Sequence, residues 1–127
     1  MTVFGAALAL AASLSAASAA GDATEGEAKF RVCRVCHQIG ESAKNFVGPE
    51  LNGVVGRKAG TVEGYRYSDA NQKSGLTWDE ATLTKYLRNP REIVPGTKMA
   101  FPGLGADADI ADVIAYLKQF GPDGKKI

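Results

Sequence analysis

The stretch Cys33-Arg34-Val35-Cys36-His37 decides the fold, because it concentrates two residue types that occur nowhere else in the chain. The 127 residues include two cysteines and one histidine, and all three lie within these five positions. Residues with unrelated roles would be scattered along the sequence. The clustering therefore indicates one site to which all three side chains contribute.

The spacing C-x-x-C-H is the motif of covalent haem attachment. Residues three apart on a helix lie on nearly the same face, so Cys33 and Cys36 can both reach the two vinyl groups of one porphyrin. His37 would then direct its imidazole at the iron. The motif predicts one haem c, attached through Cys33 and Cys36, with His37 as an iron ligand.

Three other interpretations of this stretch agree less well with the rest of the sequence. A thioredoxin-like redox pair would follow a strand within an alternating strand and helix pattern, which is missing here. A structural zinc site takes four Cys or His ligands, and this chain has three in total. A plain disulfide beside an idle histidine would explain nothing else in the chain.

A second iron ligand has to come from outside the motif, and Met99 is the best candidate. His37 is the sole histidine, and the other methionine is Met1. Met99 lies between two prolines that keep its segment out of a helix. Lys98 is the competing ligand, but its amine must first lose a proton, whereas a thioether favours ferrous iron and raises the reduction potential. A methionine is more often core filler, and the need for a sixth ligand reverses that preference here.

The composition changes near residue 20. Residues 1–20 are rich in Ala, Leu and Ser and have no ionisable side chain, and the first charged side chain is that of Asp22. An apolar stretch ending in small residues is typical of a secretory signal peptide, so we expect cleavage near Ala19 or Ala20 and export to the periplasm. Residues 21–127 are then expected to form one domain. An uncleaved membrane anchor is the alternative, although this stretch is barely apolar enough for one.

The charge balance excludes one class of partner. The chain has 15 basic and 14 acidic residues, which gives a formal net charge of +1. A charge this small provides no general attraction to nucleic acid, so any partner must be recognised by a local patch.

The periodicity of residues 21–127 is helical. Thr24 with Glu27 is a capping box that predicts a first helix, which would carry the cysteine motif. Thr77 with Glu80 is a second capping box, and Pro90 prevents that helix from extending further. Between these helices, glycines and prolines indicate long loops.

A third helix is predicted within residues 106–121, where apolar residues recur at helical spacing. No run alternates well enough to predict a strand. So few helices make a thin core, which a haem would fill. We therefore predict an all-α, single-domain fold with three to five helices and loops wrapped around one covalently bound haem.

Six motifs in this order resemble those of class I cytochrome c, especially the small bacterial cytochrome c2 type and its mitochondrial relatives. They are "CRVCH", "GPELNGVVGRKAG", "GYRYSDANQKSGLTW", "KYLRNP", "PGTKMAFPG" and "IADVIAYLKQF". The resemblance covers nearly all of residues 21–120. It is specific because the order and the spacing of several independent motifs agree.

The resemblance implies roles for further residues. The Pro49 carbonyl would accept the imidazole N–H of His37 and orient the ring. Three residues would surround the haem propionates: Arg57, Tyr67 and Trp78. Three others would form a polar network beside the Met99 thioether: Asn71, Tyr86 and Thr97. Four would form the crossing of the first and last helices: Gly26, Phe30, Val113 and Tyr116.

The resemblance also implies an electron carrier and not an enzyme, with iron cycling between Fe(III) and Fe(II) while His37 and Met99 both stay bound. The expected partners are membrane complexes: a cytochrome bc1-type donor and an oxidase or photosynthetic reaction centre as acceptor. We expect a monomer that contacts the membrane only peripherally. The alternatives are a peroxidase-like haem enzyme with an open iron, and the haem module of a larger oxidoreductase.

Overall fold

The computed structural model describes residues 21–127, together with the isolated Thr2 and Gly5. The predicted signal peptide, residues 1–20, otherwise lies outside the described residues. The helices of the described part are α1 (Ala23–Lys29), α2 (Asp69–Gln72), α3 (Glu80–Arg88), α4 (Pro90–Ile93) and α5 (Asp107–Leu117), and a 3-10 turn (Phe30–Val32) follows α1. The expected all-α fold with three to five helices is confirmed.

Extended pairing is minimal in residues 21–127. It consists of two isolated antiparallel bridges, one between Lys58 and Thr77 and the other between Phe120 and Lys126. The helices of the described residues are all too short or too polar to cross a bilayer.

Aspartates cap α1 and α3, and the two predicted capping boxes are therefore wrong. The Asp22 carboxylate accepts the backbone N–H of Thr24 at 2.8 Å, and the Asp79 carboxylate accepts that of Thr82 at 2.7 Å. Thr77, the predicted cap of α3, lies two residues before the true one. An ionised carboxylate accepts the free N–H groups and also interacts favourably with the positive end of the helix dipole.

The cysteine motif follows α1 and is not part of it, so the prediction of a helix carrying both cysteines is wrong. The chain tightens at Phe30, whose carbonyl accepts the Cys33 N–H at 2.8 Å. The Cys33 carbonyl in turn accepts the N–H of Cys36 at 3.1 Å and of His37 at 2.9 Å. Three residues complete a turn of 3-10 geometry, so this winding still brings Cys33 and Cys36 to the same side of the chain.

The crossing of α1 and α5 is confirmed. A Cβ atom at Gly26 would lie 1.9 Å from the Asp112 carbonyl oxygen, so the two backbones approach as closely as they do only because residue 26 is glycine. One turn further, the rings of Phe30 and Tyr116 pack with centroids 5.1 Å apart, and Val113 is also buried. The crossing therefore fixes the start of the cysteine motif against the last helix.

The remaining core comes from α3, α5 and the loops. Its largest fully buried side chains include Phe30, Val94, Ile110 and Val113. Of these, Phe30 and Val113 line a cavity, and residues of the long loops and of α3 line much of the rest. The arrangement places residues between positions 30 and 117 around one cavity.

Candidate functional site

The cavity has a volume of about 370 Å³ and mostly apolar walls. It is lined by residues from the cysteine motif, from the loops and from α2, α3 and α5. All the residues predicted to bind the cofactor contribute to its lining: Cys33, Cys36, His37, Pro49, Arg57, Tyr67, Asn71, Trp78, Tyr86, Thr97 and Met99. Side chains that are up to 66 positions apart in the sequence therefore meet in one place.

Cys33 and Cys36 are not joined by a disulfide. Burial raises the pKa of Cys33 to about 11, so that this thiol keeps its proton at neutral pH. A catalytic redox cysteine needs the opposite, a pKa lowered by a positive environment. The structure therefore argues against both the disulfide and the thioredoxin-like interpretation of the motif.

His37 is oriented by the loop that follows the motif. Its Nδ1 atom lies 2.7 Å from the Pro49 carbonyl oxygen. A carbonyl only accepts hydrogen bonds, so Nδ1 carries the proton and Nε2 keeps its lone pair. Burial lowers the pKa of His37, and the Pro49 contact offsets only part of this effect. The ring therefore has a defined tautomer, with an Nε2 lone pair that is free to bind a cofactor.

Gly48 forms the surface against which the His37 ring lies. A Cβ atom at this position would be 2.3 Å from Cε1 and 2.7 Å from Nδ1 of the ring. The Gly48 N–H donates to the Cys36 carbonyl at 2.8 Å, which ties this loop back to the motif. Only glycine leaves room for the imidazole between the loop and the cavity.

Met99 is held by a closed ring of hydrogen bonds. The Tyr86 hydroxyl lies 3.4 Å from the Met99 sulfur and 3.2 Å from the Thr97 hydroxyl oxygen. The Met99 N–H donates to that same Thr97 oxygen at 3.3 Å. Because the Tyr86 proton points at sulfur, the Thr97 hydroxyl must donate to Tyr86. Burial raises the pKa of Tyr86, so the phenol keeps the proton that this arrangement requires.

Arg57 is a mostly buried cation in the cavity wall. Its guanidinium donates to the carbonyls of Asn52 at 3.0 Å and Glu50 at 3.1 Å, and lies 3.6 Å from the Glu50 carboxylate. Burial lowers the pKa of Arg57, and Tyr67 and Glu50 counteract this. Arg57 therefore presents a fixed positive charge to the cavity.

Two predicted members of the same group, Tyr67 and Trp78, line the cavity with Arg57. The Tyr67 hydroxyl oxygen accepts the Val62 N–H at 3.0 Å, which leaves its own proton free to donate. Trp78 is buried, and its ring packs on Tyr86 with centroids 4.6 Å apart. Trp78 thus connects the Arg57 region to the Met99 network.

Asn71 of α2 carries an unmet hydrogen-bonding group. Its Oδ1 atom is buried and, within the part of the chain that the structure describes, has no hydrogen-bond partner. Buried amide oxygens are normally satisfied, so an unsatisfied one in a cavity wall points to a group that the cavity receives. Two thiols, an imidazole, a thioether and a guanidinium around an apolar space form a donor set that suits a haem.

Further lining residues escaped the sequence analysis. The Tyr65 hydroxyl donates to the Val47 carbonyl at 2.8 Å. The Lys98 ammonium lies 4.5 Å from the centroid of the Tyr65 ring. The stretch "GYRYS" contains two tyrosines at alternate positions, which could have indicated that both line the cavity. Only Tyr67 was predicted to do so. The apolar walls include Leu51, Val54, Leu83, Leu87 and Leu117.

Comparisons with known proteins agree with this fold and site. The family model for cytochrome c matches residues 23–121. Cytochrome c-554 of Methylosinus trichosporium is 52% identical over 126 residues, which cover 99% of this chain and 96% of that protein. Cytochrome c2 of Rhodoblastus acidophilus is 58% identical over 107 residues, covering 84% of this chain and all of the relative.

Solved structures give the same result. The structure of cytochrome cH from Methylobacterium extorquens aligns with a TM-score of 0.74 at 53% identity, covering 78% of this chain and 99% of that one. Cytochrome c2 from Rhodospirillum centenum aligns with a TM-score of 0.76 at 39% identity, covering 80% and 100%.

The helices and the cavity with its C-x-x-C-H motif define a single-haem protein with the class I cytochrome c fold. The chain belongs to the cytochrome c family, and its relatives include cytochromes c2, c-550 and c-554. It therefore carries one covalently attached haem c, and its function is electron transfer. The predictions of one covalently attached haem c, of the class I cytochrome c fold and of electron transfer are confirmed.

Proposed function

We propose that the protein is a non-enzymatic carrier that moves single electrons between membrane redox complexes in the periplasm, from a cytochrome bc1-type donor to an oxidase or a photosynthetic reaction centre. Cys33 and Cys36 attach the haem, and His37 and Met99 bind its iron. One observation carries this proposal: His37 and Met99 line the same cavity, and each is oriented by its own hydrogen bond. The haem supplies an iron that gains and loses one electron.

Fixed ligands favour electron transfer, because little has to move when the charge of the iron changes. The Pro49 contact fixes the tautomer of His37 and makes Nε2 a better donor. Tyr86 holds the Met99 sulfur, and Thr97 holds both the Tyr86 hydroxyl and the Met99 backbone. Both proposed ligands are therefore held by the protein itself.

Among the described residues that line the cavity, none is left free to act as a general base at neutral pH once His37 binds the iron, which supports a carrier over an enzyme. Burial raises the pKa of Tyr67 and of Tyr86, so both phenols stay protonated. His37 is the proposed ligand of the iron. The peroxidase-like alternative also requires an open iron, which Met99 would close.

Arg57, Tyr67 and Trp78 are the proposed partners of the haem propionates, and Asn71 is proposed to complete the polar network beside Met99. Carboxylates survive away from water only when they are paired or hydrogen-bonded. The Arg57 guanidinium can supply charge, and Tyr67 has a free proton to donate because its oxygen accepts from Val62. These groups suit the polar edge of a haem.

The partners can be tested with the reduced, purified holoprotein and membranes from its own source. We expect the membranes to oxidise the haem, and boiled membranes are the control. Oxidation only under light would support a reaction centre as acceptor, and oxidation in the dark with oxygen would support an oxidase. If native membranes oxidise the haem no faster than boiled ones in either condition, the proposed partners are wrong.

Export and monomeric state have separate tests. Cell fractionation should place the haem protein in the periplasm, and its N-terminal sequence should begin after residue 19 or 20. Size-exclusion chromatography with light scattering should give the mass of a monomer. A full-length protein in the membrane fraction would contradict the signal peptide and favour the anchor.

A further inference from the structure

Glu50 lies beside Arg57, the mostly buried cation of the cavity wall. Arg57 lines the cavity and Glu50 does not, yet the Glu50 carboxylate is 3.6 Å from the Arg57 guanidinium. Both side chains are mostly buried, with 23% and 17% of their surface exposed. The other carboxylate oxygen accepts the Asn52 N–H at 2.6 Å. The carboxylate is therefore held from two sides.

The backbone around this pair is equally constrained. Asn52 is buried, and its side-chain amide pairs with both backbone groups of Gly40, with distances of 2.8 and 2.9 Å. Its carbonyl accepts from Arg57 at 3.0 Å. Gly40 lies three residues beyond His37. The guanidinium is thus anchored to the loop that also leaves the cysteine motif.

A fixed charge beside a haem changes its reduction potential, because ferric haem carries one more positive charge than ferrous haem. A guanidinium disfavours the ferric form and raises the potential, and a carboxylate does the reverse. In a partly buried site these effects are weakly screened. Glu50 therefore opposes the electrostatic effect of Arg57.

We propose that Glu50 is a positioning residue and internal counter-ion of Arg57 that lowers the reduction potential of the haem. The proposal rests on the haem site proposed above and deepens it. It assigns to a residue outside the cavity lining a part in setting the driving force for electron transfer. The same carboxylate also keeps the guanidinium in the cavity wall.

The test is a redox titration of the holoprotein at pH 7, at low and high salt. Glu50→Gln has almost the same shape and keeps an oxygen that can accept the Asn52 N–H. We expect it to raise the midpoint potential, and to do so at both salt concentrations. Glu63→Gln removes the same charge from an exposed side chain and is the matched control. Its shift should be smaller and should disappear at high salt.

Glu50→Asp separates charge from shape, because it keeps the carboxylate and shortens the side chain. The midpoint potential of Glu50→Asp should be close to that of the unchanged protein. The midpoint potential of Glu50→Gln should differ from it by more. The proposal is wrong if Glu50→Gln lowers the potential, leaves it unchanged, or raises it no more than Glu63→Gln or Glu50→Asp does. The visible spectrum reports the haem ligands independently, so a failure of the proposed haem site would appear there, in the unchanged protein.

Discussion

The Tyr86 hydroxyl donates a hydrogen bond to the Met99 sulfur at 3.4 Å inside the cavity. Thr97 supports this contact by pairing with the same hydroxyl at 3.2 Å. A donor pointed at sulfur withdraws electron density from the thioether. A thioether that donates less favours the ferrous iron, so the contact should raise the reduction potential.

Tyr86→Phe should therefore lower the potential. If a hydrogen bond of about 1 kcal/mol is lost from only one redox state, the midpoint potential of a one-electron couple shifts by about 40 mV. We expect this value as the upper limit of the shift in Tyr86→Phe. The measurement is a redox titration of the holoprotein. Tyr65→Phe removes a hydroxyl that bonds to the Val47 carbonyl and is the control. Equal shifts for the two variants would contradict a specific effect on Met99.

Gly48→Ala should destabilise the holoprotein, since the added Cβ atom would lie 2.3 Å from the His37 ring. Overpacking of this kind typically costs about 1–3 kcal/mol. The control is Gly105→Ala, because a Cβ atom there has no neighbour within 4 Å. Chemical denaturation followed through haem absorbance measures both variants. Equal stability of the two would show that Gly48 does not position the histidine.

Part of the stability of the fold should depend on pH in the acid range, because Asp112 contributes to it only when its carboxylate is ionised. Lys29 donates to its carboxylate, as does the Asp22 N–H at 2.8 Å, and these contacts lower the pKa of Asp112 below its ordinary value of 3.8. A carboxylate whose pKa is lowered by folding stabilises the fold at pH values above its ordinary pKa. This stabilisation is lost as the pH falls through the lowered pKa.

The comparison is between Asp112→Asn and the unchanged protein. The substitution should reduce the unfolding midpoint at pH 6, and the difference should shrink as the pH falls below about 4. Glu27→Gln, an exposed position on α1, should show a smaller change at pH 6. A difference that stays constant down to the lowest pH would mean that the ion pair is not its cause.

Association with the redox partner should depend moderately on salt. The rim of the cavity includes the exposed Val32, Val35 and Val47, and basic residues such as Lys44 and Lys98 are exposed as well. With a net charge of +1, attraction to an acidic partner has to come from such local groups. Exposed charges are screened beyond about 10 Å at roughly 0.1 M salt.

The test is the second-order rate of electron transfer to the native partner, measured for Lys44→Glu, Lys98→Glu and the control Lys125→Glu. Lys125 belongs to the C-terminal segment, which does not line the cavity. The first two variants should slow the reaction at low salt more than the third, and high salt should remove the difference. Lys98 also donates to the Arg66 carbonyl, so Lys44→Glu is the cleaner variant. Three equal rates at low salt would instead favour docking through the apolar rim.

Much of the fold and of the candidate site could be predicted because single residues carried the information. One histidine, two cysteines and one methionine beyond Met1 leave few choices for attachment and ligation. Gly26 was assigned to the helix crossing through the resemblance to class I cytochrome c, and the structure shows that only glycine permits so close an approach there. These features depend on residue identity, which the sequence states directly.

Other features depend on geometry that the sequence pattern does not specify. Apolar periodicity cannot distinguish an α-helix from the tighter turn at Phe30, so the cysteine motif was placed on a helix. At both helix starts, Thr and Asp residues compete as caps, and the carboxylates of Asp22 and Asp79 prevail. The contact of Glu50 with Arg57 depends on loop conformation and has no local pattern.

The central claim, that His37 and Met99 bind the haem iron, is tested most directly by the absorption spectrum and potential of the Met99→Ala holoprotein. The unchanged ferric protein should be low-spin, and so should Lys98→Ala, which removes the competing ligand. Met99→Ala should become high-spin with an open iron, lower its potential and gain peroxidase activity. A Met99→Ala protein that keeps the original spectrum and potential would contradict the account.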